Sequence, residues 1–239
     1  MSVNFEELDF RPTPMGVLSL RRRRPPATDI DIYEIKLGDA YLMSSRFTSA
    51  EIELARLGLA ALTREHLDVV VGGLGLGYTA QAALENPRVQ SLIVVDALAE
   101  VIEWHEQGLL PLGQHLTGDR RCRLVHGDFF AMSGSAEGFD PATPGRRFDA
   151  VLVDIDHSPR HWLHPRHAAL YQREGLARLA EHLNPGGVFA LWSNDAPDAA
   201  FSAVLADVFS ASDAHVVTFD NSFGDHDASN TVYIGVKAG

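Results

Sequence analysis

Val69-Val-Val-Gly-Gly-Leu-Gly-Leu-Gly77 constrains what this chain can fold into more than any other stretch. Three β-branched residues suited to a buried strand run into closely spaced glycines, and Tyr78 to Leu84 then reads as a helix. A second apolar run, Ser91-Leu-Ile-Val-Val95, ends in Asp96, which lies 19 positions beyond Gly77. Strand, glycine turn, helix, strand and acid is the order of a nucleoside-binding βαβ unit. Glycines admit a ligand where a Cβ would clash, and the helix start can face an anion or another electron-rich group. The acid accepts from ribose hydroxyls. Such a turn can also be a plain strand-to-helix connection, but the ordered context favours an adenosine-containing small molecule, with Gly73, Leu74, Gly75 and Gly77 at the turn and Asp96 and Ala97 at the ribose end.

The rest of the chain extends this unit into an α/β alternation. Strands are predicted over Arg121–His126, Phe148–Asp154 and Gly187–Trp192, and helices over about 98–107, 166–182 and 197–210. Asn184-Pro-Gly-Gly187 reads as a helix stop and turn, and Ser133 to Arg147 as a loop. Thr48-Ser-Ala-Glu51 has the spacing of a capping box ahead of a helix with a broad apolar face. Strands separated by helices imply a doubly wound, mostly parallel sheet. Ala214–Phe219 and Thr231–Lys237 leave no room for a helix between them and are expected to form an antiparallel C-terminal hairpin. Residues 1–47 differ: Val17–Leu20, Ile30–Lys36 and Ala40–Met43 read as strands of a small β-extension, and residues 48–239 as the binding and catalytic domain. Arg21-Arg-Arg-Arg-Pro-Pro26 is expected to be a solvated charged turn, with an anion- or partner-binding patch as the alternative.

Composition narrows the partners. The chain has 239 residues, 46% hydrophobic, enough for a substantial core. A formal net charge of −12 disfavours a nucleic-acid backbone or an anionic membrane and suits a cationic acceptor, although acidity is common in cytosolic enzymes. The single cysteine, Cys122, excludes an intrachain disulfide and reads as a packed thiol rather than a nucleophile. No 18-residue apolar run is present, and the acidic start Met1–Glu7 lacks a signal peptide's basic and apolar regions, so a cytoplasmic location is expected.

The ordered motifs resemble the class I S-adenosylmethionine-dependent methyltransferase superfamily and, within it, spermidine-synthase-like proteins, over nearly the whole chain. Val71–Gly77 falls on the family's glycine motif, Val94-Val-Asp96 on its ribose-binding acid and His126-Gly-Asp128 on the "G-D" whose Asp contacts the adenine amine. Val153-Asp-Ile-Asp-His-Ser-Pro159 falls on the D-S-x-D-P-like loop of aminopropyltransferases, and Leu183–Val188 on the family's lead into the strand predicted over Gly187–Trp192. The resemblance implies a seven-stranded Rossmann-like sheet, S-adenosylmethionine, its decarboxylated form or methylthioadenosine as ligand, and a homodimer through the β-extension. Two departures bear on the reaction. The family's G-G-G-D-G carries an Asp that holds the ammonium of the decarboxylated donor, and Gly72–Gly77 has an apolar residue in its place. Losing that carboxylate also removes its repulsion of intact S-adenosylmethionine's carboxylate, which moves the expectation to methyl transfer onto a small-molecule acceptor. Aminopropyl transfer to a polyamine and a non-catalytic nucleoside-binding role remain as alternatives. In the loop after the Phe148–Asp154 strand the second acid, Asp156, stands one place early, with His157 after it.

Ligands of open α/β sheets lie beyond the carboxyl ends of the strands, where the candidate residues converge. Asp96 and Asp128 are expected at the nucleoside, with Phe129 as an apolar wall; each could instead cap a helix or turn. Asp154 and Asp156 are the candidate catalytic acids, one raising the pKa of the other toward that of a working general base; Asp154 could also merely cap its loop. His157, Trp192 and Asp195 are placed at the acceptor. His157, His161, His164 and His167 are spaced near one helical face, but Pro159 and Pro165 interrupt a helix there, so a substrate-loop or surface role is expected and no metal.

Overall fold

In this computed structural model, residues 5–25, 29–220 and 228–239 are described. Four strands open the chain, β1 (Phe5–Thr13), β2 (Gly16–Arg23), β3 (Ile32–Leu37) and β4 (Ala40–Ser44), joined as an antiparallel meander. The first of them was not legible in the sequence, because its apolar and charged residues alternate imperfectly and the register slips between Glu7 and Asp9. The arginine run is not a turn. Arg21 to Arg23 lie inside β2, and cross-strand acids neutralise them: Glu7 at 3.5 Å, Glu6 at 2.5 Å and Glu34 at 2.8 Å. Arg24 pairs with Asp31 at 2.7 Å. Pro26 and the first four residues of the acidic start lie outside the described residues.

The alternation that follows is α1 (Ser49–Ala60), β5 (Leu67–Gly72), α2 (Tyr78–Glu85), β6 (Val89–Asp96), α3 (Ala99–Glu106), α4 (Gly113–Gly118), β7 (Cys122–His126), α5 (Phe129–Ser133), β8 (Phe148–Val153), α6 (Arg173–Glu181), β9 (Leu183–Ser193), α7 (Ala199–Val208), β10 (Ala211–Phe219) and β11 (Ala228–Val236). They build a seven-stranded sheet in the order β10-β11-β9-β8-β5-β6-β7. Only β11 runs against its neighbours, paired antiparallel with both β9 and β10, so the expected C-terminal hairpin closes the sheet.

Period-two alternation sorts the strands onto two buried faces. Val69, Val71, Leu92, Val94, Leu152 and Ala190 pack on one side with residues of α1 to α4, and Leu18, Leu20 and Ile35 of the N-terminal sheet join the same cluster. Val70, Ile93, Val95, Val151, Val153 and Leu191 pack on the other side against α5 to α7. β1 is pinned to α3 as well, where the Trp104 indole N–H donates to Asp9 at 2.6 Å. No helix among the described residues is long and apolar enough to cross a membrane.

Three local expectations change. Asn184-Pro-Gly-Gly187 lies within β9, which starts at Leu183 and absorbs the turn as an irregularity, with Gly186 at φ +74° and a register shift opposite Phe148–Ala150. The single helix expected over 166–182 divides into a 3₁₀ turn, Pro165–Ala169, and α6. Leu170 and Tyr171 turn into the core between them and break the helical path. At Thr48 no side-chain capping bond forms, and Glu51 points elsewhere.

Candidate active site

A cavity of about 500 Å³ opens at the carboxyl ends of β5, β6 and β8, where the glycine turn and the strand-end acids meet. Its size is that of a small-molecule site. The turn has the backbone that its glycines permit: Gly73 at φ +93° and Gly75 at φ +47°. A Cβ on Gly73 would collide with the carbonyl oxygen of Asp154, and one on Gly75 would lie 2.6 Å from the Met43 sulfur. Both glycines line the cavity. Leu74 and Gly77 do not: Leu74 is buried beneath the turn, and Gly77 caps α2 against Leu116 and His105.

Asp96 lines the cavity and at the same time organises the turn. Its carboxylate accepts from the backbone N–H of Leu74 and of Leu98, each at 2.8 Å. Burial raises its pKa while these bonds and one from Gly75 oppose the shift. From below, the buried His105 holds the Gly75 carbonyl at 2.9 Å through Nε2, which therefore carries the ring proton. Burial lowers its pKa, so the ring is neutral, and Nδ1 is buried without a partner among the described residues.

Asp128 caps α5, with one oxygen accepting from Phe130 N at 3.0 Å and Ala131 N at 3.1 Å. The capping alternative is thus what the backbone shows, and Asp128 still lines the cavity with Ala97, Phe129 and Phe130. Phe129 is 2% exposed and stacks on Phe139. Phe130 stacks face to face on His167 at 3.7 Å, which builds an aromatic edge beside Asp128.

The carboxylates that meet at the cavity differ from the expected pair. Asp154 lies at the cavity, where Thr79 of α2 donates to it at 2.7 Å. Its carboxylate neighbour is Glu51, not Asp156. Glu51 sits in the first turn of α1, is 9% exposed and lines the same cavity. Burial, and then the Asp154 charge, pushes the Glu51 carboxyl up to about 8, and burial pushes Asp154 up to about 6. At neutral pH the two therefore hold one proton and one negative charge. Glu51 stands at the head of the stripe Leu54, Ala55, Gly58 and Leu59 that packs against the sheet. A carboxylate on an apolar face was the signal, obscured by the capping-box reading.

Asp156 does not line the cavity. It is 1% exposed and accepts from Leu163 N, His167 Nδ1 and Tyr171 Oη, all at 2.8 Å. Those bonds tie the loop after β8 to the segment that leads into α6. Asp195 is also outside: it pairs with His161 Nδ1 at 2.9 Å beside a separate depression near Ser158 and Tyr233. His157 and Trp192 do line the cavity, with His164, Arg166 and His167. The Trp192 indole N–H is buried and finds no partner among the described residues. No group of three or more His, Cys, Asp or Glu side chains suited to a metal occurs among the described residues. Cys122 lies elsewhere, its thiol pushed up to about 12 by burial, the packed thiol that the sequence suggested.

One whole wall had no sequence signal. Met15, Ile35, Leu37, Leu42 and Met43 of the N-terminal sheet close the cavity from one side. Met43 sits on the glycine turn itself, its sulfur accepting from Leu76 N at 3.0 Å.

No protein-family model matches the chain. It is 30% identical over 151 residues to polyamine aminopropyltransferase 2 of Streptomyces coelicolor, a match that covers 61% of this chain but only 25% of that relative's length. Among solved structures it is similar to a spermidine synthase in complex with the transition-state analogue AdoDATO, with a TM-score of 0.73 at 14% identity over 97% of this chain and 74% of that one. The spermidine synthase of Thermotoga maritima gives a TM-score of 0.73 at 15% identity over 97% and 73% of the two chains. A probable spermidine synthase of Corynebacterium glutamicum gives 0.62 at 15% over 97% and 79%. Identities this low speak to fold alone, and the chain has a spermidine-synthase-like fold.

Proposed function

We propose that this chain transfers an alkyl group from a sulfonium nucleoside to an amine, with the 3-aminopropyl group of decarboxylated S-adenosylmethionine as the group transferred. The observation that carries this reading is the Glu51–Asp154 carboxylate pair at the foot of a glycine-lined nucleoside pocket. Aminopropyl transfer is also the activity in the relative's name, which supports placing it ahead of the methyl transfer expected from the sequence. Methyl transfer is the second reading, favoured by the absence of an acid between Gly72 and Gly77.

The pocket fits the donor. Gly73 and Gly75 leave space where a Cβ would stand, Asp96 and Asp128 supply acceptors, and the Phe129–Phe130 edge offers an apolar surface. Bound there, the sulfonium supplies the leaving group, so the protein's task is alignment and proton removal. Asp154, held by Thr79, accepts a hydrogen bond from the acceptor's ammonium and withdraws its proton, freeing the nitrogen lone pair. The lone pair forms the new C–N bond as the C–S bond breaks and its electrons return to sulfur. The alkylated nitrogen keeps the positive charge until a second proton leaves. Glu51 keeps its proton beside the Asp154 charge, and burial raises Asp154 to about 6, which lets it take up the acceptor's proton near neutral pH.

The nucleoside product distinguishes the two readings whichever amine is the acceptor. With a mixture of primary amines, release of methylthioadenosine from the decarboxylated donor is expected, and release of S-adenosylhomocysteine from the intact donor would select methyl transfer. Asp154→Asn is expected to lower the rate by roughly 10²- to 10⁴-fold while donor binding by calorimetry persists. Failure to bind S-adenosylmethionine, its decarboxylated form and methylthioadenosine alike would overturn the proposal.

A further inference from the structure

Thr79 touches both members of the carboxylate pair. It is the second residue of α2 and is 2% exposed. A helical threonine hydroxyl commonly bonds to a carbonyl of the turn before it. This one turns out of its own helix instead. Its Oγ1 donates to Asp154 Oδ2 at 2.7 Å and lies 3.3 Å from the main-chain carbonyl oxygen of Glu51. A hydroxyl has one proton, and the shorter contact, to a carboxylate, is the stronger. Asp154 Oδ1 has no partner among the described residues and is left for the cavity. Glu51 is held differently: among the described residues its carboxyl meets only its own backbone amide.

Burial raises both carboxyls, and the donor opposite each one is what differs. Against burial, Asp154 has the Thr79 hydroxyl. The other ionisable groups facing the cavity are Asp96 at the end of β6, Asp128 at the start of α5, and His157, His164, Arg166 and His167 between β8 and α6. None of them hydrogen-bonds to Asp154 or Glu51 among the described residues. Tyr78, beside Thr79 in α2, stays neutral because burial raises its hydroxyl.

We propose that Thr79 is the positioning residue of the pair: its hydroxyl proton keeps the negative charge on Asp154 and leaves the shared proton on Glu51, so that Asp154 is the carboxylate that meets the amine as a base. This rests on the amine-transfer reading above and deepens it by naming the group that selects the base. A hydrogen bond to the charged form of an acid favours that form. Without the hydroxyl, Asp154 keeps a proton to higher pH, and a protonated carboxyl takes none from the acceptor.

The test uses the full chain as wild type, Thr79→Val and Thr79→Ser. Carboxyl-carbon NMR of isotope-labelled aspartate and glutamate follows both groups without any ligand, with Asp154→Asn and Glu51→Gln assigning the two signals. Wild type is expected to ionise Asp154 at about 6 and Glu51 at about 8. In Thr79→Val the Asp154 midpoint is expected to rise by roughly one pH unit, and in Thr79→Ser, which keeps a donor, to return toward wild type. An unmoved midpoint in folded Thr79→Val overturns the proposal. Ionisation of Glu51 before Asp154 in wild type also overturns it, and that measurement decides the question even where the valine variant does not fold. Transfer kinetics give a second readout. The kcat/KM of Thr79→Val relative to wild type is expected to fall roughly tenfold on the acid side of the pH profile and to recover as the pH rises. A loss of equal size at every pH marks a merely structural role and overturns the proposal. Absence of transfer by wild type overturns the transfer reading, while the ligand-free titration still decides which carboxylate carries the charge.

Discussion

Replacing Glu51 with glutamine tests the carboxylate pair independently of any ligand. Glu51 is 9% exposed, and burial together with the Asp154 charge lifts its carboxyl from an ordinary 4.5 to about 8. The folded protein thus keeps a proton that the unfolded chain releases near pH 4.5. Because the folded value is the higher one, this group's contribution to stability is fully present below pH 4.5 and is lost as the pH rises through about 8. One pKa unit corresponds to about 1.4 kcal/mol, so the contribution falls by on the order of 4 kcal/mol across that window. In a domain of this size 1 kcal/mol moves Tm by roughly 2–4 °C. Glutamine does not titrate, and Asp154 keeps a titration of its own in both proteins. Scanning fluorimetry between about pH 5 and 8.5 should therefore show wild type losing about 10 °C relative to Glu51→Gln. Parallel Tm–pH curves for the two proteins would refute the reasoning, because Glu51 would then titrate in the fold as it does in the unfolded chain.

Two further substitutions separate the cavity from its supports. Gly75→Ala puts a Cβ at φ +47° and 2.6 Å from the Met43 sulfur, so donor affinity by calorimetry should fall at least tenfold, with part of it regained in Gly75→Ala/Met43→Ala. Unaltered affinity in the single variant would take the glycine turn out of the binding site. Asp156→Asn leaves a buried amide among three donors and should cost about 2–4 kcal/mol in urea unfolding. A variant with wild-type stability but no transfer would restore Asp156 to the catalytic role that sequence order suggested.

The order of elements was legible because it follows from local chemistry. Runs such as Val69–Val71 and Leu92–Val95 are apolar on both faces, which marks central parallel strands, and Gly73 and Gly75 stand where the backbone takes positive φ. The strand-end positions of Asp96, Asp128 and Asp154 follow from the same pattern, and all three line the cavity. The shortness of the link between the last two strands foretold the antiparallel hairpin that closes the sheet.

What the sequence left open was the direction of side chains whose partners are remote in the chain. Asp154 and Asp156 are two residues apart, yet one meets Thr79, 75 positions away, at the cavity, and the other meets Tyr171, 15 positions on, in the core. A one-dimensional pattern places a residue on a strand end or a helix face, but it does not reveal which distant segment packs there. Glu51 came to the cavity only because α1 packs against the sheet, and the cavity acquired its apolar wall only because β3, β4 and the β1–β2 turn close over it. The sequence by itself therefore determined a nucleoside-type βαβ sheet with acids at its strand ends. Tertiary packing alone decided which carboxylates meet, which are spent on loops, and which surfaces close the cavity.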